Sequence, residues 1–194
     1  SFFLPILSAF EKITEYVAAW NHEEEMEEGL FRISVPDFDK RAFREALVNA
    51  FCHRDYSMLG RVRVEINSEG MLISNPGGFI EGINADNLLD AEPHGRNPVL
   101  ADALKRIGLA ERTGRGIDRI YEGSLLYGRL LPDYSRSTST SVCLFIPRGM
   151  PDRAFVRMIS EEQQRLGHPL PIYALLVLNT LKQMHQATLR EISE

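Results

Sequence analysis

Between Leu4 and Trp20, apolar side chains fall at Ile6, Leu7, Phe10, Ile13, Tyr16, Val17 and Trp20. Steps of three and four residues are the spacing of an amphipathic helix. The pattern stops at residues 23–28, where Met26 interrupts five glutamates. Such a charge run reads as a solvated loop. Metal binding by the run is the weaker reading, since it lacks the Gly turn and alternating acidic spacing of a calcium loop. Leu30 to Val35 then reads as a short strand. Asp37 or Asp39 offers an N-cap for a helix from about Lys40 to His53, whose apolar stripe is Phe43, Leu47, Ala50 and Phe51. Arg61 to Ile66 alternates polar and apolar, as a half-buried strand does. Asn67 to Gly70 has hairpin-turn composition, Met71 to Ser74 returns, and Pro76, Gly77 and Gly78 end the strand.

Helical pattern dominates afterwards. A short helix is expected over Ala85 to Leu89. A second is expected from Pro98, an early-helix proline, to Arg106, with Gly108 as its stop. Gly116 opens a third that runs to about Tyr127. A polar stretch from Ser135 leads into Val142 to Ile146, a buried strand ended by Pro147. Residues 151–167 read as a charged connecting helix, and Pro171 to Met184 as an apolar-periodic one. A turn near Gln186 and Ala187 precedes a further helix from Thr188. That helix–turn–helix start resembles the first half of a winged helix. Its bland alternative is two packed helices of an interface or lid.

Composition narrows the class. The chain has 194 residues, 44% of them hydrophobic and 25% charged, close to globular averages and sufficient for a sizeable core. No apolar run is long enough to span a bilayer. No signal peptide is read at the start, and the expected location is cytoplasmic; the sequence reads as a fragment of a longer protein. Two cysteines, Cys52 and Cys143, lie in apolar segments and read as ordinary buried thiols of a reducing compartment. Residues 1–30 carry seven Glu and one Lys, −6 against a formal total of −5, so the rest of the chain nets +1. That is not the strongly basic footprint of a stand-alone nucleic-acid binder.

Three stretches carry candidate chemistry. Glu45 and Asn49 are four apart on a helix and so share a face. A carboxylate beside an amide suits a hydrated magnesium ion, and Glu45 could orient an attacking water as a general base. The plainer reading is an exposed Glu and a hydrogen-bonded Asn. Ser74, Asn75, Pro76, Gly77 and Gly78 close a strand, where glycines let a ligand approach the backbone; most such clusters are simply turns. Residues Arg112 to Arg119 place Gly114 and Gly116 before a helix, an anion-friendly N-terminus, with Arg112, Arg115 and Arg119 as phosphate donors. The alternative is a flexible loop with a solvated basic start. His53 and Asp55 suggest acid–base chemistry only weakly, because no nucleophile is placed near them.

In order and context, these stretches resemble the GHKL (Bergerat-type) ATP-binding fold. Glu45-Ala-Leu-Val-Asn49, the segment His53 to Ser57, Ile73 to Gly78, Arg96 to Leu104, Gly108 to Glu111 and Thr113 to Ile117 resemble its RecG-related C-terminal branch. The resemblance covers roughly Phe43 to Pro147. It implies Asn49 as a magnesium ligand, Glu45 at the general-base position, and Asn75 at the adenine contact. It also implies Gly77 in the adenine box, and Gly114 and Gly116 with Arg115 on the phosphate side. The resemblance further implies ATP with magnesium as cofactor, and a winged helix following the domain. Asn75 stands where relatives carry Asp. A neutral acceptor loses charge assistance, worth ~1 kcal/mol, and Pro76 stiffens the turn. No Walker-type Gly-x-x-x-x-Gly-Lys-Ser/Thr loop is present, so no helicase motor is expected.

The expected architecture is therefore an α/β (α+β) two-layer sandwich, a mixed and mostly antiparallel sheet with helices on one face. Residues 1–28 would form a connecting helix and acidic loop, 29–149 the GHKL-like domain, and 150–194 a linker helix and partial winged helix. The expected function is a nucleotide-binding-like sensor or dimerisation domain of a bacterial transcriptional regulator. It would be a homodimer, with DNA contacted through flanking modules. An active magnesium-dependent ATPase and a degenerate scaffold that binds no nucleotide are the alternatives.

Overall fold

The computed structural model describes residues 4–28, 31–92, 94–110 and 114–184. Its elements are α1 (Ile6–Trp20), β1 (Glu23–Glu28), β2 (Phe31–Pro36), α2 (Lys40–Cys52), β3 (Arg63–Ile66), β4 (Gly70–Pro76), α3 (Pro98–Arg106), α4 (Gly116–Leu125), β5 (Ser141–Pro147), α5 (Arg153–Leu166) and α6 (Ile172–Met184). The fold is mixed α+β, as expected. The strands divide between two antiparallel sheets, a β1–β2 ribbon and a β3–β4–β5 sheet, where a single mixed sheet was expected.

The inward face of the larger sheet follows from its register. Met71 pairs with Ile146, Ile73 with Leu144 and Asn75 with Val142. Residues two apart on a strand share a face, so Met71, Ile73 and Asn75 all point inward, and all three are buried. That face shares one core with Leu47 of α2 and with Ile120 and Leu125 of α4, each fully enclosed. Asp39 starts α2 by accepting from the Arg41 and Ala42 amides at 2.8 and 2.9 Å. Burial on α2 is wider than a single stripe: Glu45, Ala46 and Val48 are buried alongside Phe43, Leu47 and Ala50. Phe51 is only half-buried, stacked 4.8 Å from the Phe10 ring of α1.

Helices α2 and α4 cross at their closest at Gly123. A Cβ there would lie 2.5 Å from Ala42 Cβ and 2.9 Å from Asp39 Cβ. Gly123 is therefore the residue that lets α4 approach α2, and with it the α4 N-terminus approach Glu45.

Three expectations about local structure change. The acidic run is a strand instead of a loop. Met26 is buried with Val35 and Val156 of α5, Glu23 pairs with Lys40 at 2.6 Å and Glu24 with Arg153 at 2.8 Å. Distant partners supply what the local composition lacks. Second, 85–89 is a series of turns. The Asn84 side chain accepts from the Asp86 and Asn87 amides, and Asn87 accepts from the Asn84 amide. These bonds compete with a helix for the same donors. Third, Cys143 is only half-buried, whereas Cys52 is buried. The expected turn at 186–187 and the helix from Thr188 lie outside the described residues.

Candidate functional site

A cavity of about 230 Å³ opens between α2, α4, the far end of β4 and the segment 78–95. That is somewhat below the ligand-pocket range of roughly 300–1,000 Å³. Four residues of one α2 face line it: Glu45, Asn49, Cys52 and His53. They stand four, three and one positions apart, His53 being the residue that caps the helix C-terminus, so one side of α2 supplies them. The sheet contributes Ile73 and Asn75, and the glycines of the α4 entry, Gly114 and Gly116, line it as well.

Glu45 is 1% exposed, with the Arg44 guanidinium 3.7 Å from Oε1. Its carboxylate faces the start of α4. A Cβ built on Gly116 would stand 3.2 Å from Glu45 Oε2 and 3.9 Å from both side-chain polar atoms of Asn49. Both side chains thus bound the same small space before Gly116. Arg115, the α4 N-cap residue, supplies no side-chain cap hydrogen bond, and the helix dipole there favours negative charge. A carboxylate and an amide oxygen are hard donors of the kind magnesium takes while keeping waters. Glu45 and Asn49 therefore fit a hydrated magnesium ion whose other ligands come from water and phosphate. Among the described residues no group of three or more His, Cys, Asp or Glu is placed to hold a metal. An ion held by protein carboxylates alone is thus not what this donor set suits.

At the sheet end, Asn75 is 4% exposed, and its Nδ2 donates to the Pro76 carbonyl at 3.1 Å. The bond uses one of the two Nδ2 hydrogens, which leaves Asn75 an acceptor, Oδ1, and one further donor to offer the cavity. Pro76 O also receives the Asp55 amide at 2.8 Å. Gly77 follows with φ +94°, and its N–H donates to Thr140 O. It does not line the cavity: a Cβ there would stand 2.8 Å from Asp55 Cβ. Its glycine character serves the turn and its packing on Asp55, and Gly78 reaches the cavity instead.

The structure therefore brings Glu45, Asn49, Asn75, Gly114 and Gly116 to one cavity, and leaves Gly77 and Arg115 outside it. Arg112 and Thr113 lie outside the described residues. Two contributors were not anticipated. Segment 79–95 covers one side with Ile83, Leu88 and Leu89, and α3 projects Lys105. The four-residue step from Ala101 to Lys105 on α3 was the available signal for the second.

Titration behaviour follows the enclosure. Burial pushes the Cys52 thiol up to about 11, against a smaller opposing pull from Lys105. His53 is held below the usual imidazole range, first by burial and then by the Arg96 charge. It donates its backbone N–H to Asn49 O at 2.8 Å, closing α2. Cys52 is thus expected to resist iodoacetamide at pH 8 in the folded protein and to react fully in urea. Mass spectrometry of alkylated peptides reads this, and rapid native labelling of Cys52 would contradict its enclosure.

Comparison with known proteins places part of the chain. Residues 60–146 match the family model described as "Putative ATP-dependent DNA helicase recG C-terminal". This supports a RecG-related, ATPase-type domain. The match includes Asn75, Gly77, Gly114, Arg115 and Gly116; Glu45 and Asn49 precede it. A crystal structure of the DIP2311 protein from Corynebacterium diphtheriae is similar, with a TM-score of 0.82 and 25% sequence identity. The likeness covers 96% of this chain and 38% of that one, so this chain spans well under half of that protein's length. No curated protein matches the chain. Among the described residues no helix is long and apolar enough to cross a membrane.

Proposed function

We propose that the domain binds an adenine nucleotide with magnesium and serves as the sensor and dimerisation unit of a bacterial, cytoplasmic transcriptional regulator. DNA would be contacted through flanking modules. The observation that carries the nucleotide reading is the single cavity shared by Asn75 at the sheet end and by Asn49, Glu45 and Gly116 at the helix end. In this reading Asn75 Oδ1 accepts from the adenine amino group. Asn49 and Glu45 hold the magnesium that neutralises the phosphates. Gly114 and Gly116 let the phosphates approach the backbone.

The sensor part is supported by a link outside the cavity. Tyr173 of α6 donates its hydroxyl to Asp90 Oδ1 at 2.8 Å. Asp90 belongs to the segment that covers the cavity, and α6 leads toward the C-terminal stretch of the chain. Movement of the cover on nucleotide binding would therefore reach α6. Titration with Mg·ATP, followed by calorimetry and thermal shift, tests the reading. A ligand at about 100 times its dissociation constant adds about 2.7 kcal/mol of stability. No heat and no stabilisation at millimolar nucleotide would favour the scaffold alternative, with a nucleotide-independent dimer in light scattering selecting it.

Coupling has its own readout. With ATP, amide exchange is expected to slow both in 84–92 and in α6. In Tyr173→Phe the slowing in 84–92 remains and that in α6 disappears. Equal slowing of α6 in both proteins would remove this bond from the pathway.

A magnesium-dependent ATPase is a second reading, favoured by the presence of Glu45 at the cavity wall. Phosphate release that falls in Glu45→Gln, with nucleotide affinity retained, supports it. Release unchanged by that substitution refutes Glu45 as the base.

A further inference from the structure

Tyr56 donates its hydroxyl to Phe51 O at 3.2 Å and Tyr173 to Asp90 Oδ1 at 2.8 Å, although both side chains are exposed. Tyr134 is 7% exposed, yet its hydroxyl forms no hydrogen bond among the described residues. A buried tyrosine hydroxyl usually finds a partner, because leaving it unpaired costs the desolvation of the group. Burial also pushes this hydroxyl well above the usual phenol range, so it stays protonated, at once a donor and an acceptor. Tyr134 is not sealed in protein, since it lines the cavity. The cavity is therefore where the missing partner belongs.

Backbone register fixes where Tyr134 stands. Asp133 and Phe145 exchange both backbone hydrogen bonds at 2.8 Å, an antiparallel bridge along the free edge of β5. Tyr134 therefore lies beside Leu144 and shares its inward face. Leu144 in turn pairs with Ile73 of β4. Tyr134, Leu144 and Ile73 thus form one row across the floor of the cavity, and Val142 and Asn75 form the next, all five lining it. The Phe79 ring lies 6.0 Å from that of Tyr134 and lines the cavity too. Around the hydroxyl the floor is apolar, so a charged phosphate there would be costly to desolvate. A flat, uncharged ring carrying a few polar atoms suits it.

We infer that Tyr134 is a ligand-contacting residue of this cavity, whose hydroxyl hydrogen-bonds the uncharged nucleoside part of the nucleotide. This rests on the nucleotide reading above. Asn75 and Tyr134 then hold the nucleoside from two strands of the floor, and Phe79, the first apolar residue of the covering segment, packs beside it. The hydroxyl contributes to binding alone: with the cavity empty, no protein group depends on it.

The test measures adenosine and Mg·ATP by calorimetry on the full chain, on Tyr134→Phe and on Tyr121→Phe, with thermal unfolding of each protein without ligand. Tyr121 is the matched control: it is 9% exposed, its hydroxyl likewise forms no hydrogen bond among the described residues, and it does not line the cavity. Tyr134→Phe is expected to weaken adenosine and ATP by the same factor, about 5- to 100-fold, the range of a buried partner left unpaired. Its unfolding midpoint without ligand should equal or exceed that of the parent, because the variant loses a buried hydroxyl that the protein does not hold. Tyr121→Phe should bind both ligands as the parent does. Unchanged affinity in Tyr134→Phe overturns the assignment and leaves the nucleotide reading intact. A loss confined to ATP overturns it too, since the hydroxyl would then meet phosphate. So does a lowered midpoint, which marks a structural bond, or an equal loss in Tyr121→Phe, which marks a packing defect. Failure of the parent to bind either ligand overturns both readings together.

Discussion

Valine at position 123 is expected to cost the domain about 3 kcal/mol or more of its stability, a large share of the roughly 5–15 kcal/mol typical of a domain. The reason is a backbone contact with no slack. Already the first carbon of a side chain at Gly123 would stand 2.5 Å from Ala42 Cβ and 2.9 Å from Asp39 Cβ. Neither is the loose end of a flexible chain. Ala42 is buried in the first turn of α2, and Asp39 caps that helix. Relief requires α4 to move off α2, which opens the core around Ile120 and Leu125, both fully buried. Displacing Asp39 would also cost the cap, about 0.5–2 kcal/mol. Gly123→Ala should show a smaller loss of the same kind, about 1–3 kcal/mol. Gly95→Ala is the control: a Cβ there meets nothing within 4 Å. Urea midpoints read all three, and a Gly123→Val midpoint equal to that of the parent would refute this account of the helix crossing.

How far the residues announced this arrangement depends on where each signal resides. Asp39, Pro98 and the hairpin composition of Asn67 to Gly70 act through neighbours in sequence, so the start of α2, the start of α3 and the β3–β4 hairpin were legible. So was the shared face of Glu45 and Asn49, because helical geometry alone sets it. The strand β1 was not. Its local composition is that of a solvated run, and it is held by Lys40, Arg153 and Val156, the last two more than a hundred residues away. The turns at 84–90 carried their signal in Asn84 and Asn87, whose side chains compete for helix donors; apolar spacing hid it. Gly77 was read for the ligand, yet only the tertiary fold puts Asp55 against its α-carbon. Lys105 was missed because which side of α3 meets the cavity is decided by how α3 docks on α2.

Gly116→Val should leave the protein folded and weaken Mg·ATP by at least about 30-fold, on the order of 2 kcal/mol. Gly116 has none of the positive φ that would forbid a side chain, so the effect is steric and local. The first carbon would press on Glu45 Oε2 at 3.2 Å, with the Asn49 amide at 3.9 Å on the same side. The two methyl groups beyond it would fill the space where Glu45 and Asn49 meet the α4 N-terminus. Magnesium and the phosphates need that space, and the Gly116 N–H would be screened from them. Adenosine, held at the Asn75 end, should lose little affinity. Gly116→Ala, which adds the Cβ alone, should fall between, because Glu45 need shift by only a few tenths of an ångström. Thermal unfolding of all three proteins separates a blocked site from a damaged core. The graded order for ATP, with adenosine nearly constant, is the pattern that a phosphate site at this helix start requires. Equal ATP affinity across the series would place the phosphates elsewhere.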